Sequence, residues 1–216
     1  MVRLMCTGRM DLAFILRAFS NRADGVFIGG CWPGECHYIT EGNYIALSTV
    51  LFSKKLLRFM GLNPERLRLE WVSASEGMRF ADVMNDFSSK LREIGPLGKG
   101  EGLDEDRIRF KLETATRLVP YMKLVERERL RIADKSVEAY QDFFASDVFD
   151  RLFQELIVEK FELSEMMTLL REKPRSTEEL SKMLAISPSE ISRHLNRSSR
   201  QGFVSFDESR NLVTAA

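Results

Sequence analysis

The chain has 216 residues, enough for one large domain or two small ones, and its hydrophobic fraction of 44% is that of an ordinary globular protein. Its 32 Lys and Arg residues balance 32 Asp and Glu residues, so the overall charge does not favour nucleic acid, an anionic membrane or an acidic substrate. No apolar run approaches the ~20 residues of a membrane helix, and the start lacks the apolar region of a signal peptide. We therefore expect a cytoplasmic protein without a membrane segment.

The first 95 residues alternate strand-like and helix-like segments. Short apolar runs predict three strands, at residues 2–6, 25–30 and 67–72. Apolar residues at helical spacing predict three helices, at residues 11–19, 43–59 and 80–94. This alternation predicts the α/β class, with a partial parallel sheet of βαβ units that is flavodoxin- or Rossmann-like.

A glycine-rich segment at residues 94–102 marks the clearest domain boundary. The following residues, 104–139, are charged and mostly helical, with an interruption or kink expected at Pro120. Residues 140–161 are helical and rich in Phe, a stripe that we interpret as helix core. The predicted domains are an α/β domain at 1–96, a charged helical linker at 97–160 and a third domain at 161–216.

The third domain has the pattern of a winged helix-turn-helix. A helix is predicted at residues 166–172, and Ser176 with Glu179 forms a capping box that opens a second helix, which ends at Leu184. A third helix follows to about Arg200. Two short strands around a turn at residues 207–211 complete the pattern, because three helices and a β-hairpin describe this fold.

The three cysteines of the chain, Cys6, Cys31 and Cys36, all lie within its first 36 residues. Such a small, odd number does not fit a secreted disulfide framework. Cys6 ends the first predicted strand, Cys31 follows the second, and a Pro-Gly turn would return Cys36 toward Cys31. Clustered thiolates suit zinc or an iron–sulfur cluster, for which His37 is a candidate fourth ligand.

Spacing alone leaves two other interpretations of the cysteines open: two buried cysteines with a bystander, or a redox-active dithiol.

Gly29, Gly30 and Gly34 would allow backbone N–H groups to approach the sulfurs. The turn at residues 73–76 ends the third strand at the same edge, although capping the next helix is its simpler role. The sequence contains no nucleophile–base pair, phosphate loop or dinucleotide fingerprint, so we expect no substrate turnover by this chain alone.

An ordered set of motifs runs through residues 2–95. The motifs are Cys6-Thr7-Gly8-Arg9, Ala23-Asp24-Gly25-Val26, Gly30-Cys31-Trp32-Pro33-Gly34-Glu35-Cys36-His37-Tyr38, Glu41-Gly42-Asn43-Tyr44, Pro64-Glu65-Arg66-Leu67-Arg68-Leu69-Glu70-Trp71 and Ser73-Ala74-Ser75-Glu76-Gly77. Together they closely resemble the delta subunit of methyl-viologen-reducing hydrogenase, the small iron–sulfur subunit of heterodisulfide-reductase-type complexes. The resemblance implies that residues 1–96 hold a 2Fe–2S cluster through Cys6, Cys31 and Cys36.

The same resemblance implies a non-catalytic electron-transfer subunit of an oxidoreductase complex. Its donor would be a hydrogenase or a formate dehydrogenase module, and its acceptor the flavin-containing A subunit of the heterodisulfide reductase type. Members of the family commonly have His where Trp32 stands. They also begin further upstream, with another strand and a cysteine-rich motif, so the fourth ligand is open and we hypothesise that the true N-terminus lies upstream.

The alternative function is a metal- or redox-sensing, winged-helix DNA-binding regulator. Residues 177–184 and 191–195 resemble helix-turn-helix domains of the ArsR or MarR type, and Arg193, Arg197 and Arg200 form one stripe on the predicted recognition helix. Residues 164–216 nevertheless carry eight Lys and Arg against seven Asp and Glu. This near balance disfavours DNA as a partner, because DNA binding depends on neutralising phosphates.

Overall fold

The structure is a computed structural model that describes residues 1–39, 41–207 and 211–216. Residues 1–153 form one compact unit and residues 154–216 a second. The division into domains at 1–96, 97–160 and 161–216 stays a prediction. Within the described residues, no helix is both long enough and apolar enough to cross a membrane.

A pair of parallel strands organises the first unit. Strand β1, Val26–Gly30, pairs with β2, Leu67–Trp71, so that Val26 lies opposite Leu67 and Gly30 opposite Trp71. Helix α2, Gly42–Phe59, connects the two strands and supplies much of the core. These elements confirm two of the predicted strands and the βαβ order. Because an isolated two-stranded sheet is marginally stable, the strands depend on the helices packed against them.

The other helices of this unit include those predicted at residues 11–19 and 80–94, whereas the stretches predicted as helical at 104–139 and 140–161 are interrupted at residues 130–136 and 145–146. These helices are α1, Leu12–Ser20; α3, Gly77–Ile94; α4, Glu105–Arg129; α5, Val137–Phe144; and α6, Asp147–Phe153. Short 3₁₀ helices lie at Thr7–Arg9, Pro64–Arg66 and Lys99–Glu101. Asp11, Asp104 and Ser136 cap the starts of α1, α4 and α5 with side-chain oxygens. Helix α4 continues through Pro120, so the predicted interruption there is wrong.

The predicted first strand, at residues 2–6, is also wrong. This segment is irregular and leads into the 3₁₀ helix at Thr7–Arg9. The Cys6 carbonyl accepts the Arg9 N–H, a local bond that replaces a ladder bond, and Val2 and Met5 are 86% and 98% exposed. Since the described strands form only two-stranded sheets, the predicted flavodoxin- or Rossmann-like sheet is not confirmed.

The core of the first unit lies between α1, α2 and the two strands, and it includes one buried charge. Its fully buried side chains include Leu12, Ile15, Leu16, Phe19, Phe52, Leu56, Leu57 and Leu67. Arg66 is 0% exposed and donates to both oxygens of the Glu101 carboxylate, with Nε–Oε1 at 2.6 Å and Nη2–Oε2 at 2.9 Å. It also donates to the carbonyls of Asp24 and Pro96. This arginine therefore joins three separate stretches of chain.

Helix α4 packs against α1 and α2 in the same unit. Lys123 forms an ion pair with Asp11, and Ser48 donates to the Glu126 carboxylate at 3.0 Å. Burial raises the pKa of Glu126, and the charge of Asp11 adds to this rise. The charged face of α4 thus contributes specific contacts to the first unit.

The second unit begins with a π-helical turn, Gln154–Val158, and continues in α7, Glu159–Glu172. Helices α8, Thr177–Leu184, and α9, Pro188–Arg200, follow, and strands β3, Val204–Asp207, and β4, Leu212–Ala215, pair antiparallel. The Ser176–Glu179 capping box is present. The helix predicted at residues 166–172 is the end of a longer helix, α7. Residues 208–210 of the predicted turn lie outside the described residues.

Candidate cysteine site

The three cysteines lie on loops around the start of α2. Cys6 precedes the first 3₁₀ helix, Cys31 follows β1 directly, and Cys36 lies on the loop between β1 and α2. All three are free thiols; Cys36 is buried, at 4% exposed, while Cys6 and Cys31 are partly exposed. The loops that carry them therefore come from both sides of β1 and meet at one end of the sheet.

Gly42, the first residue of α2, lies directly against two of the sulfurs. A Cβ atom at this position would stand 2.6 Å from Cys36 Sγ and 3.0 Å from Cys6 Sγ. Both distances are shorter than an ordinary contact, so only glycine allows both thiols to sit this close to the helix backbone. Cys6 and Cys36, thirty residues apart in sequence, are thus near neighbours at Gly42.

Cys31 joins this group through Cys36 and Asn43. Burial raises the pKa of the Cys31 thiol, and a hydrogen bond with the neighbouring Cys36 thiol raises it further. Asn43 Nδ2 donates to the Cys31 carbonyl at 2.5 Å and lies 4.0 Å from Cys31 Sγ. Asn43 is 1% exposed, so the first turn of α2 holds Cys31 from within the core.

A tight turn returns the chain from Cys31 to Cys36, as the Pro-Gly pair predicts. The Glu35 N–H donates to the Trp32 carbonyl at 3.0 Å. Gly34 adopts φ +88°, in the left-handed region that favours glycine, and a Cβ there would meet no atom within 4 Å. Gly34 therefore supplies the positive φ that this turn requires.

The expected role of the other glycines also needs correction. A Cβ on Gly30 would meet the Trp71 ring at 2.9 Å and Thr7 Oγ1 at 3.1 Å, and a Cβ on Gly29 would meet only Phe27. A backbone N–H that does reach a cysteine sulfur is that of Gly8, which donates to Cys6 Sγ at 3.4 Å. Close approach to the thiols thus comes from Gly8 and Gly42, two motif glycines for which the sequence pattern predicts no such contact.

Two buried polar atoms beside the cysteines lack partners. Within the described residues, neither Thr7 Oγ1 nor Asn43 Oδ1 makes a hydrogen bond. Buried polar groups are normally satisfied, and each unsatisfied one costs free energy. Thr7 follows Cys6, and Asn43 contacts Cys31, so both unpaired oxygen atoms lie beside the thiols. Soft sulfur donors and unsatisfied neighbours fit an iron–sulfur group held here.

The contacts between the cysteines are pairwise. Over residues 1–39, 41–207 and 211–216, no three His, Cys, Asp or Glu side chains form a ready-made metal-binding group. His37, the candidate fourth ligand, is exposed, and its ring packs edge-to-face on Tyr38 at 5.0 Å between centroids. Cys6, Cys31, Cys36 and His37 as metal ligands therefore stay predictions.

Replacing Gly42 by Ala should damage this site selectively. The new methyl group would overlap Cys36 Sγ, and overpacking of this kind costs about 1–3 kcal/mol. We expect a lower urea midpoint and several-fold less bound iron after anaerobic reconstitution. Gly77→Ala is a matched control, because Gly77 also opens a helix, α3, but a Cβ there would meet nothing within 4 Å. Equal iron content in the two variants would contradict the close approach at Gly42.

Comparisons with known proteins identify the two parts of the chain separately. Residues 1–95 match the family model for the methyl-viologen-reducing hydrogenase delta subunit. Residues 164–205 match the family model for bacterial regulatory proteins of the arsR family. The three cysteines and Gly42 fall within the first match, and helices α8 and α9 fall within the second.

Several curated proteins are similar to the first 95 to 97 residues. The iron-sulfur subunit of the F420-non-reducing hydrogenase of Archaeoglobus profundus is 52% identical over 95 residues, which are 44% of this chain and 69% of that protein. The iron-sulfur subunit of the vhc F420-non-reducing hydrogenase of Methanococcus voltae is 48% identical over 95 residues, 44% of this chain and 65% of that protein.

A third relative carries the similar segment within a much longer chain. It is the A subunit of the ferredoxin/F(420)H(2)-dependent CoB-CoM heterodisulfide reductase of Methanosarcina acetivorans, which is 44% identical over 97 residues. The match covers 45% of this chain and 12% of that protein. Because the Archaeoglobus protein is matched over more than two thirds of its length, this chain belongs to the methyl-viologen-reducing hydrogenase delta subunit family, with an ArsR-like helix-turn-helix region in its C-terminal part.

Proposed function

We propose that this chain is an electron-transfer subunit that holds a 2Fe–2S cluster through Cys6, Cys31 and Cys36. The observation that carries the proposal is that Cys36 Sγ and Cys6 Sγ both lie against Gly42, 2.6 Å and 3.0 Å from where a Cβ atom would stand, while Cys31 precedes the turn that leads to Cys36. Thiolates brought together from separate loops are typical ligands of iron–sulfur clusters. The hydrogenase relatives are named as iron-sulfur subunits, which supports this choice over zinc.

When bound, the cluster supplies reversible one-electron transfer, and the residues around it set the conditions. The Gly8 N–H donates to Cys6 Sγ, and the start of α2 places partial positive charge beside the thiols. Both stabilise negative charge on sulfur and so favour the reduced state. The burial of Cys36 limits access of water to the site. Three thiolates leave one ligand position, for which His37 is the proposed occupant.

The proposed partners follow from the relatives. We infer that electrons arrive from a hydrogenase or formate dehydrogenase module and leave to a flavin-containing A subunit of the heterodisulfide reductase type. The Methanosarcina reductase supports this, because its A subunit carries the similar segment within its own chain. The chain itself would act as a non-catalytic member of the oxidoreductase complex.

Mixing the reduced chain with the purified flavin-containing reductase protein under anaerobic conditions tests this relay. Stopped-flow absorbance should show oxidation of the chain together with reduction of the flavin. The same mixture prepared with Cys36→Ser should show neither change. If the wild-type chain stays reduced, the proposed acceptor is wrong.

A DNA-binding regulator is the second candidate, favoured by the arsR family match over residues 164–205. In the structure, Ile191 and Leu195 are buried, as predicted, and the Arg stripe lies on the opposite side of α9. Arg197 and Arg193 lie 3.3 Å and 3.9 Å from Glu159, which neutralises part of their charge. A gel-shift experiment with genomic DNA fragments distinguishes the two candidates. Retardation of the DNA by the full chain, but not by the double variant Arg193→Ala/Arg197→Ala, would support this winged-helix function. No retardation by the full chain would exclude it.

A further inference from the structure

Trp32, the residue after Cys31, is fixed to a turn distant in sequence. Its indole Nε1 donates to Glu76 Oε2 at 2.8 Å, and the Ser73 N–H donates to the same oxygen at 2.7 Å. Glu76 lies on the turn between β2 and α3, at the edge of the sheet where the cysteines meet. One carboxylate oxygen thus joins the loop at residues 31–36 to the end of the neighbouring strand.

Helix capping does not account for Glu76. The residue stands immediately before α3, but its side chain makes no capping hydrogen bond to that helix. The simpler role expected for this turn is therefore not what its carboxylate does. The Ser73 N–H and the Trp32 indole keep the pKa of Glu76 below its usual value, so the carboxylate accepts both bonds in its charged form.

The face of the Trp32 ring is held as well. The Arg79 guanidinium lies 5.1 Å from the ring centroid, and Arg79 Nε donates to the Trp71 carbonyl at 3.2 Å. The indole is thus bound at its edge by Glu76 and over its face by Arg79. Glu76 immediately precedes α3 and Arg79 lies in its first turn, so both residues are outside the loop that carries the cysteines.

The position of Trp32 sets the geometry of the two cysteines that flank its turn. Its carbonyl accepts the Glu35 N–H that closes the turn, and the preceding Cys31 carbonyl accepts from Asn43. Fixing the indole therefore fixes the start of the turn, and the turn places Cys36. Within the described residues, the side chain that accepts the Trp32 indole N–H is that of Glu76.

We propose that Glu76 is a positioning residue for the cysteine site, acting through the Trp32 indole to hold the loop that carries Cys31 and Cys36. The proposal rests on the proposed function for the identity of the bound group, but the contact itself concerns the thiols alone. Within the described residues, the Glu76 carboxylate makes its hydrogen bonds to the Trp32 indole and the Ser73 N–H and none to a cysteine sulfur. Removing the Glu76 carboxylate should loosen the loop without removing any of the thiols.

Alkylation of the metal-free protein tests this without any cluster. Iodoacetamide modification of Cys36, followed by mass spectrometry, should be about tenfold faster in Glu76→Ala and Trp32→Phe, because opening the loop no longer breaks a charge-assisted hydrogen bond. Glu76→Gln keeps an acceptor oxygen and should stay near the wild-type rate. Glu93→Gln, on the exposed part of α3, is the matched control and should not change it.

A double variant separates positioning from general destabilisation. If Trp32→Phe and Glu76→Ala act through one contact, the combined variant should be no faster than either alone. The reduced holoprotein should show an altered EPR line shape in the same variants. Wild-type alkylation rates in both single variants, or rates that multiply in the double variant, would overturn the proposal. Lack of iron in the wild-type protein would contradict the proposed function only, since the alkylation rates still decide the role of Glu76.

Discussion

Substituting Ser for Cys36 should remove the iron–sulfur signal and leave the protein folded. Cys36 Sγ lies with Cys6 Sγ against Gly42, and burial together with the Cys36 thiol raises the pKa of Cys31. Because even the loss of an outer-shell partner costs about 10–100-fold in metal affinity, loss of a ligand should lower bound iron by at least about tenfold. Iron analysis, circular dichroism and EPR of the reduced protein measure the effect.

The same experiment on Cys31 and Cys6 tests the other two proposed ligands. Cys31→Ser should match Cys36→Ser, since the two thiols lie on one turn. Cys6→Ser should lose iron as well, because Cys6 Sγ lies against the same glycine. The control variant is Glu93→Gln, which keeps all three thiols. An unchanged EPR signal in both Cys31→Ser and Cys36→Ser would remove these residues from the ligand set.

Replacing Arg66 by Met should give the largest loss of stability in the first unit. The Glu101 carboxylate would lose two hydrogen bonds from the guanidinium, and the carbonyls of Asp24 and Pro96 would lose one each. Breaking a buried ion pair by removing one partner costs about 3–5 kcal/mol. Urea unfolding followed by circular dichroism measures the change. Lys90→Met, which breaks an exposed pair with Glu93, should cost less than about 1 kcal/mol.

The same ion pair predicts a dependence of stability on pH. Burial alone would raise the pKa of Glu101, but the hydrogen bonds from Arg66 and from backbone N–H groups outweigh it and hold the pKa below its usual value. The ionised carboxylate therefore stabilises the fold above the pKa that Glu101 has in the unfolded chain. This contribution is lost as the pH falls through the lower pKa of the folded state. With Glu101→Gln, the free energy of unfolding should fall less steeply as the pH is lowered into the acid range. An unchanged slope in that range would contradict the role of Glu101.

The helices were predictable from sequence because their signals are local. Apolar spacing and capping residues such as Asp11 and Ser176 place helix starts within a few residues of those observed. The first strand was not predictable, because an apolar run at residues 2–6 becomes a strand only if an edge is available for pairing. Here the chain turns into a 3₁₀ helix instead. The interruption predicted at Pro120 failed for a related reason, because the packing of α4 on α1 and α2 keeps that helix continuous.

The cysteine site was predictable in its donors but not in its surroundings. Confinement of the thiols to 36 residues and the Pro-Gly turn indicated that they would meet. The contacts that hold them come from residues far away in sequence, notably Asn43 on Cys31 and Glu76 on Trp32. No periodicity marks such tertiary partners. Gly42, the first residue of α2, belongs to a quoted motif, but no local pattern predicted its close packing against the sulfurs.

Iron and acid-labile sulfide analysis of the anaerobically purified chain, with EPR of the reduced protein, tests the central claim most directly. We expect iron and sulfide in equal amounts and a signal typical of a reduced two-iron cluster, which Cys36→Ser removes. Stoichiometric zinc without iron or sulfide in the wild-type protein would contradict the electron-transfer assignment.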